Sequence, residues 1–474
     1  MTYIVGVLEL SSKYRYGVTS RGAPLYLFRP YDEDQPEMIV GCSHRDTSRD
    51  QIAIVGSPTT QQPAGLTQTL QKPRGTLIRL IGQVGSESAE RAGLLEHYCP
   101  TRTYTEGLPP VNTSDDAVRE ELSAATGWLT FHIDPPGCRD IDDALAWHAA
   151  TRTWAITIAD ASAFVPFESP LNTAARAIGE TFYNTTGVVQ RPMLPSAVSE
   201  EQASLLPGTR RRGVTYIFRD DGDGGRDGRW ALTWITVAHS FTYDTFAGSD
   251  VALTVGVTEG DPHEFIADMM VRYNRRAAEL LRCVAPAAGI LRVQSAPDAA
   301  AVASWSAIDP ALARMAHEAA TYAFVATEEE GQEQSHAGLG LNAYCHASSP
   351  LRRYADLANQ RLLKAHITGD IVGSSESMTL TEHLNARTRA ARRWARDLLF
   401  LEQVTPGRVH EIAVVWVDEE RVWVPVWSRL LRLRHEVPDP APAPGAPGRI
   451  RIFCDPTKRN WRRRILTAAP ALLD

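Results

Sequence analysis

Apolar and polar positions alternate in short runs from the start of the chain. YIVGVLEL, YRYGVTS, PLYLFRP, MIVGC and QIAIVG lie between polar turns, and GTLIRLIG at 75–82 adds one more. Alternation over so few residues is the pattern of half-buried strands. Several such runs with little helical signal predict a small β-barrel of the OB or cold-shock type over residues 1–85. Residues 86–125 read as a helical linker, with ESAERAGLLEHY its clearest amphipathic stretch.

From about 126 to 403 the pattern turns to mixed α/β. TWAITIAD (153–160) reads as a buried strand, and SPLNTAARAIGETFY has a capped helical start. GVTYIFRD and RWALTWITVAHSFTY read as paired strands around the hairpin DDGDGG. EFIADMMVRYNRRAAELLRC, a segment near 310–330, RRYADLANQRLLKAHI and the basic stretch 381–404 are predicted helices. Alternation returns over 404–474 in RVHEIAVVWV, RVWVPVWSRLLRLR and GRIRIFCD, with RRRILTA after a Pro/Ala/Gly loop at 438–448, and predicts a second small barrel. The whole is expected to be an α+β or α/β multidomain chain, a mixed body flanked by OB-type barrels.

Composition changes this picture little. The chain has 474 residues, 43% of them hydrophobic, as a folded globular protein requires. A net charge of −7 gives no hint of a nucleic-acid partner, but the signs are segregated. Acids gather at 134–143 and 328–333, arginines at 210–212, 352–353, 387–396 and 462–464. The six cysteines form no CxxC pair or zinc knuckle, which fits a reducing compartment. The first strand pattern is not that of a signal peptide, and no run approaches the ~18–20 apolar residues of a membrane span. A soluble, intracellular, cytoplasmic protein without a membrane partner is expected, and a monomer.

The chemistry concentrates in FHIDPPGCRDIDDALAWH, residues 131–148, where Asp134, Asp140, Asp142 and Asp143 crowd together. A solvated loop is the bland reading. The aspartates, however, are bracketed by core strands, and buried carboxylates must be paired or bound to metal. An EF-hand pattern is absent, and zinc would find only Cys138 and His132 nearby. Carboxylates alone suit Mg²⁺ or Mn²⁺ and suggest metal-assisted phosphoryl chemistry.

The spacing D-P-x4-D-I-D-D-A over Asp134–Ala144 resembles the active-site signature of the ribonuclease II/ribonuclease R (RNB) exoribonuclease family. IADASAFV (158–165), GETFYNTTGVVQRPMLPSAVSEEQASLLPG (179–208), FTYDT (241–245) and GLGLNAYCHASSPLRRYADLANQRLL (338–363) are similar to further family blocks, in the same order. The resemblance implies an RNB catalytic domain over 126–403, a cold-shock-like barrel before it and an S1-like barrel after it. It implies Mg²⁺-dependent, sequence-nonspecific 3′→5′ hydrolysis of single-stranded RNA to nucleoside 5′-monophosphates. Asp134 and Asp143 match the acids that hold the metal beside the scissile phosphate, and Asp140 and Asp142 complete the centre. Arg352 matches the phosphate-contacting arginine, Tyr243 the tyrosine at the catalytic end of the channel, and Tyr183 the aromatic that stacks on a 3′-terminal base. Residues 1–85 have room for one barrel where two cold-shock domains are usual.

The same residues carry plainer readings. An arginine is most often in a surface ion pair, but Arg352 and Arg353 follow a proline turn at a helix start, where donors face anions. Tyr183 and Tyr243 could be core aromatics, although stacking on aromatics is how single strands are held without sequence preference. His346 is expected to be a structural hydrogen-bonding histidine. Some arginines of 387–396, with Arg210, Arg211 and Arg212, could line an RNA path. Two alternatives stay open: a catalytically silent RNA-binding protein, and an unrelated metal-dependent phosphoesterase acting on small substrates.

Overall fold

A computed structural model describes residues 2–32, 34–57, 72–220, 228–257, 260–326, 334–370, 379–404, 408–433, 442–454 and 465–470. The acids at 328–333, the hairpin tip at 221–225, the start of the Pro/Ala/Gly loop and the arginines at 462–464 lie outside the described residues.

Strands β1 (Thr2–Leu8), β2 (Leu25–Pro30), β3 (Met38–Gly41), β4 (Gln51–Ser57) and β5 (Arg74–Gln83) form a closed barrel in the order β1-β2-β3-β5-β4. Ile4, Leu8, Tyr26, Phe28, Met38, Val40 and Val55 share its apolar cluster. YRYGVTS is not one of its strands. Residues 11–24 are loop, with an isolated bridge between Val18 and Pro24, and Tyr14 is largely exposed. Helix α1 (Glu87–Tyr98) coincides with the amphipathic stretch and buries Ala89 and Leu94 in one cluster with Val5, Val7 and Ile52 of the barrel.

The body is built on a seven-stranded sheet. Its strands are β6 (Glu120–Leu122), β7 (Leu129–Ile133), β8 (Asp143–His148), β9 (Thr153–Ala159), β10 (Arg210–Arg219), β11 (Arg229–Thr236) and β12 (His239–Phe241). Their order is β12-β7-β8-β9-β10-β11-β6, antiparallel except where β12 joins β7 and β6 joins β11. The period-2 pattern divides the two faces. Phe131, Ile133, Leu145, Ile156 and Ile158 meet helix α3 (Pro262–Val284) through Met269, Tyr273 and Leu281. Ala144, Ala146, Ala155 and Ala159 belong to the second cluster, with helices α2 (Pro170–Ile178), α4 (Tyr354–Thr368) and α5 (Leu380–Gln403).

The segment near 310–330 is not one helix. It divides into a 3₁₀ turn, Pro310–Ala316, and a strand, Thr321–Phe324, that pairs with Ile290–Val293. After α5 come Val409–Trp416, Arg421–Val424, Arg429–Arg432, Pro447–Cys454 and Ile465–Pro470, a five-stranded antiparallel sheet. RVWVPVWSRLLRLR is broken at Pro425, which has no N–H for the ladder and starts a 3₁₀ turn. The edge strands Arg429–Arg432 and Ile465–Pro470 do not pair with each other, so among the described residues this sheet is not closed.

Candidate active site

The sheet order gathers the chemistry at one end. β7 and β8 are antiparallel neighbours, so the end of β7 and the start of β8 lie side by side, and the loop 134–142 joins them. Asp134 directly follows β7 and Asp143 opens β8. β12 runs parallel to β7 and delivers Tyr243 to the same end. The Asp134 N–H donates to the Phe241 carbonyl at 3.0 Å, fixing these two chain ends together.

The loop between the acids is held from inside. Gly137 takes a left-handed φ of 80°, at a turn where the Cys138 N–H donates to the Pro135 carbonyl. Ile141 is buried in the core, and its N–H donates to the Ser204 hydroxyl at 3.0 Å. That hydroxyl donates in turn to the Arg139 carbonyl at 2.6 Å. The apolar anchor at 141 turns its flanking residues, Asp140 and Asp142, to different partners.

Asp142 is 3% exposed. Its Oδ1 accepts the Leu351 N–H at 3.0 Å and its Oδ2 accepts Arg352 Nε at 2.8 Å. Burial raises its pKa to about 7, against the opposing pull of Arg352 and the Leu351 N–H. Arg352 also donates to the Ser349 hydroxyl at 3.0 Å and is held firmly charged by Asp142 against the cost of burial. The proline turn before α4 does present an N–H, that of Leu351, to an anion, and that anion is the protein's own Asp142.

Asp140 turns elsewhere. Its Oδ2 accepts the Tyr183 hydroxyl at 3.1 Å, and its Oδ1 faces Cys138 Sγ at 3.4 Å. Burial, then the negative charges of Asp134 and Asp140, push the Cys138 thiol far up, which makes it inert. Tyr183 ends one strand of the small hairpin Phe182–Tyr183 with Val189–Arg191 and is half-buried, its phenol also raised by burial. Asp143 lies well above the ordinary carboxylate range because of burial and the neighbouring charges of Asp134 and Asp142.

Tyr243 opens a single helical turn capped by Thr242. Its ring stacks on His263 with centroids 3.6 Å apart and planes at 14°. Burial and the nearby Asp134 and Asp143 raise its phenol, which has no hydrogen bond among the described residues. The structure thus brings Asp134, Asp140, Asp142, Asp143, Arg352, Tyr183 and Tyr243 into one cluster.

Arg353 is placed differently. Its guanidinium turns into its own helix and pairs with fully buried Asp356 at 2.8 Å. Asp356 also accepts the Ser349 N–H, so this pair shapes the turn that carries Arg352. His346 is structural, as expected: its Nδ1 meets the Tyr322 hydroxyl at 2.8 Å, and burial keeps it neutral. Arg210 and Arg212 are engaged by Glu121 and Asp116 and stack on Trp234, while Arg211 donates to the Ser204 and Glu201 carbonyls. These three brace the sheet rather than wait for a ligand. Arg387 bonds the Ile178 and Tyr98 carbonyls, whereas Arg389, Arg392, Arg393 and Arg396 are exposed.

Sequence patterns did not mark two other features. Asp160 is wholly buried between Arg119 at 2.5 Å and Lys364 at 2.7 Å, which depress its pKa despite burial and tie α4 to the sheet. Arg292, 4% exposed, lies over the Tyr322 ring at 4.4 Å beside Glu180. An arginine inside the apolar run ILRV was the available signal.

No three His, Cys, Asp or Glu side chains among the described residues stand close enough to form a ready-made metal site. The donors nonetheless fit a hard cation. Asp134 and Asp143 repel across the ends of adjacent strands, and Mg²⁺ is usually held by one or two carboxylates with substrate phosphate completing its shell. Asp140 and Asp142 would have to leave Tyr183 and Arg352 to join them.

The chain is 25% identical over 349 residues to ribonuclease R of Helicobacter pylori, an alignment spanning 56% of this chain and 53% of that protein. It is 28% identical over 373 residues to exoribonuclease 2 of Sodalis glossinidius, covering 60% and 56%. The chain therefore spans about half the length of these curated relatives. Among solved structures, yeast Ssd1, a pseudonuclease, aligns with a TM-score of 0.70 and 16% identity over 97% of this chain and 67% of that one. The RNB domain model matches residues 119–249 and 247–369, more than half of the sequence and the whole of the aspartate-bearing sheet, and the chain belongs to the RNB domain family.

Proposed function

We propose that the chain is a 3′→5′ exoribonuclease acting on single-stranded RNA without sequence preference and releasing nucleoside 5′-monophosphates. One observation carries the reading: the buried Asp143 carboxyl lies close enough to the charges of Asp134 and Asp142 to be raised by them, with Arg352 and the phenol of Tyr243 in the same neighbourhood. Hydrolysis breaks the bond between phosphorus and the 3′-oxygen and forms one from phosphorus to a water oxygen, so the released nucleotide keeps its 5′-phosphate.

Asp134 and Asp143 would hold Mg²⁺, with Mn²⁺ as a substitute, joined by Asp140 and Asp142. Bound there, the ion supplies charge for the phosphate and acidifies water. Arg352, whose side chain is 42% exposed, offers N–H donors to phosphate oxygens as their charge grows. Tyr243 stands beside the acids with its hydroxyl available, and Tyr183 offers a ring to the terminal base. The exposed arginines of α5 attract the strand, and an intracellular monomer is the simplest setting.

A second reading has its own support: a silent RNA-binding protein on this fold. Asp140 and Asp142 are already satisfied by Tyr183 and Arg352, and a pseudonuclease is among the structural neighbours. The presence of all four acids and Arg352 favours hydrolysis. Incubating the chain with 5′-labelled oligo(A) and Mg²⁺ separates the two. A ladder shortened from the 3′ end is expected; binding without turnover supports the silent reading, and no competition by single-stranded RNA points to another phosphoesterase.

A further inference from the structure

We infer that His132 is a positioning residue for Asp134, holding one carboxylate oxygen so that the other is presented to the divalent cation. The inference rests on the cation reading of the site given above. His132 and Asp134 are two residues apart at the end of β7, and alternation along a strand places such residues on one face. Their side chains meet there, His132 Nδ1 to Asp134 Oδ2 at 2.8 Å.

Backbone and side chain are fixed together. β12 pairs with β7 so that Ser240 faces His132, and the Asp134 N–H is bonded to Phe241. His132 is 5% exposed, so its ring is enclosed by protein.

The tautomer follows from the partners. A carboxylate only accepts, so Nδ1 carries the proton and donates it to Asp134. Nε2 is buried without a hydrogen-bond partner. It is tolerable there as a bare lone pair, whereas a second N–H would be stranded. Its burial also keeps Nε2 from being a metal ligand. The ring is therefore a donor with one target. Asp134 Oδ2 is occupied, and its second oxygen is the one left for the cation. This is the geometry by which a donor behind a ligand fixes its rotamer, and removing such donors costs about 10–100-fold in metal affinity.

The test is direct binding of Mn²⁺ to the full chain without RNA, followed by the free-Mn²⁺ electron paramagnetic resonance signal. Wild type is expected to bind Mn²⁺, and Asp134→Asn to bind it much more weakly but measurably. His132→Ala should weaken binding about 10–100-fold. His132→Asn, whose amide can donate near the Nδ1 position, should recover most of it. If His132→Ala does not fold, His132→Leu fills the same space without a donor. In an Asp134→Asn background His132→Ala should change nothing further, because the two act as one unit. Wild-type affinity in His132→Ala or His132→Leu overturns the inference, as does equal weakening in both backgrounds or absence of Mn²⁺ binding in wild type. Tight Mn²⁺ binding without RNA turnover would remove the hydrolase reading and leave this one standing.

Discussion

Asp142 and Arg352 lie 210 positions apart in the chain and meet at 2.8 Å. The carboxylate is buried and the side chain of the arginine is 42% exposed, so the pair runs from the interior to the surface. A buried charge pair adds little net stability compared with apolar packing, but leaving one partner alone is costly. The pair therefore reads as a holding device: Arg352 partly offsets the effect of burial on Asp142, and Asp142 keeps the Arg352 fork aimed at the acids.

Asp142→Asn preserves shape and can still accept the Leu351 N–H, but it removes the charge. We expect the hydrolysis rate to fall by about 10²–10⁴ while RNA affinity stays within about tenfold, because binding rests on distributed phosphate and stacking contacts. Single-turnover rates beside equilibrium binding to the same oligonucleotide check this. Affinity collapsing together with rate would place Asp142 in RNA binding instead.

Arg352→Lys retains charge and loses the planar fork that donates to Asp142 through Nε and to Ser349 through a terminal nitrogen. One ammonium cannot reproduce both directions and still face a phosphate. A rate loss on the order of that expected for Asp142→Asn should follow, by about 10² or more. A near-wild-type rate would return Arg352 to the role of an ion-pair partner for Asp142.

Protons and divalent ions should compete. Asp142 titrates near 7 in the folded chain against 3.8 when free, and Asp143 is raised too. Between those values the folded state binds more protons than the unfolded one, so this contribution to stability is full at low pH and is lost as pH rises through about 7. Without metal, the melting temperature should decline across that window. Mg²⁺ requires the ionised carboxylates, so its stabilisation should be larger near about pH 8 than near about pH 5.5. Thermal melts in EDTA and in Mg²⁺ at both values test it, and an equal gain at both would argue against binding at these acids.

Most of this architecture was legible in the chain. Short apolar runs between polar turns marked β1 to β5, and β2, β3 and β4 are buried along most of their length; the Asp134–Asp143 spacing marked the sheet end because core strands bracket it. YRYGVTS failed because its alternation buries nothing: Tyr14 points to solvent, so the pattern had no core to serve. The split of 310–330 was hidden because Pro310 opens a 3₁₀ turn and Thr321–Phe324 is a strand only by pairing with Ile290–Val293. The same holds at the site. Residue types announced acids, Arg352 and tyrosines, but only folding shows that Arg353 turns inward to Asp356, that Arg210 and Arg212 are spent on Trp234, and that Tyr183 reaches Asp140.

That last contact separates two roles for Tyr183. Under the proposed function the ring would offer a surface to the terminal base, while the hydroxyl holds Asp140 at 3.1 Å. As RNA shortens, it loses contacts outside the cluster, and each base lost from an aromatic surface weakens binding by about 1–3 kcal/mol. Release should then overtake cleavage at a few nucleotides. If the ring sets that length, Tyr183→Ala should leave longer limit products while long RNA is still degraded. Tyr183→Phe keeps the ring and frees Asp140 from its hydrogen bond, so its limit products should match wild type. Freed Asp140 is also easier to recruit toward a cation, and less Mg²⁺ should be needed for half-maximal rate. Gels of limit products for the three proteins, run over a Mg²⁺ series, measure both quantities. Unchanged product length in Tyr183→Ala would move the stacking surface to another residue, and an unchanged Mg²⁺ requirement in Tyr183→Phe would leave the hydroxyl with a purely structural role.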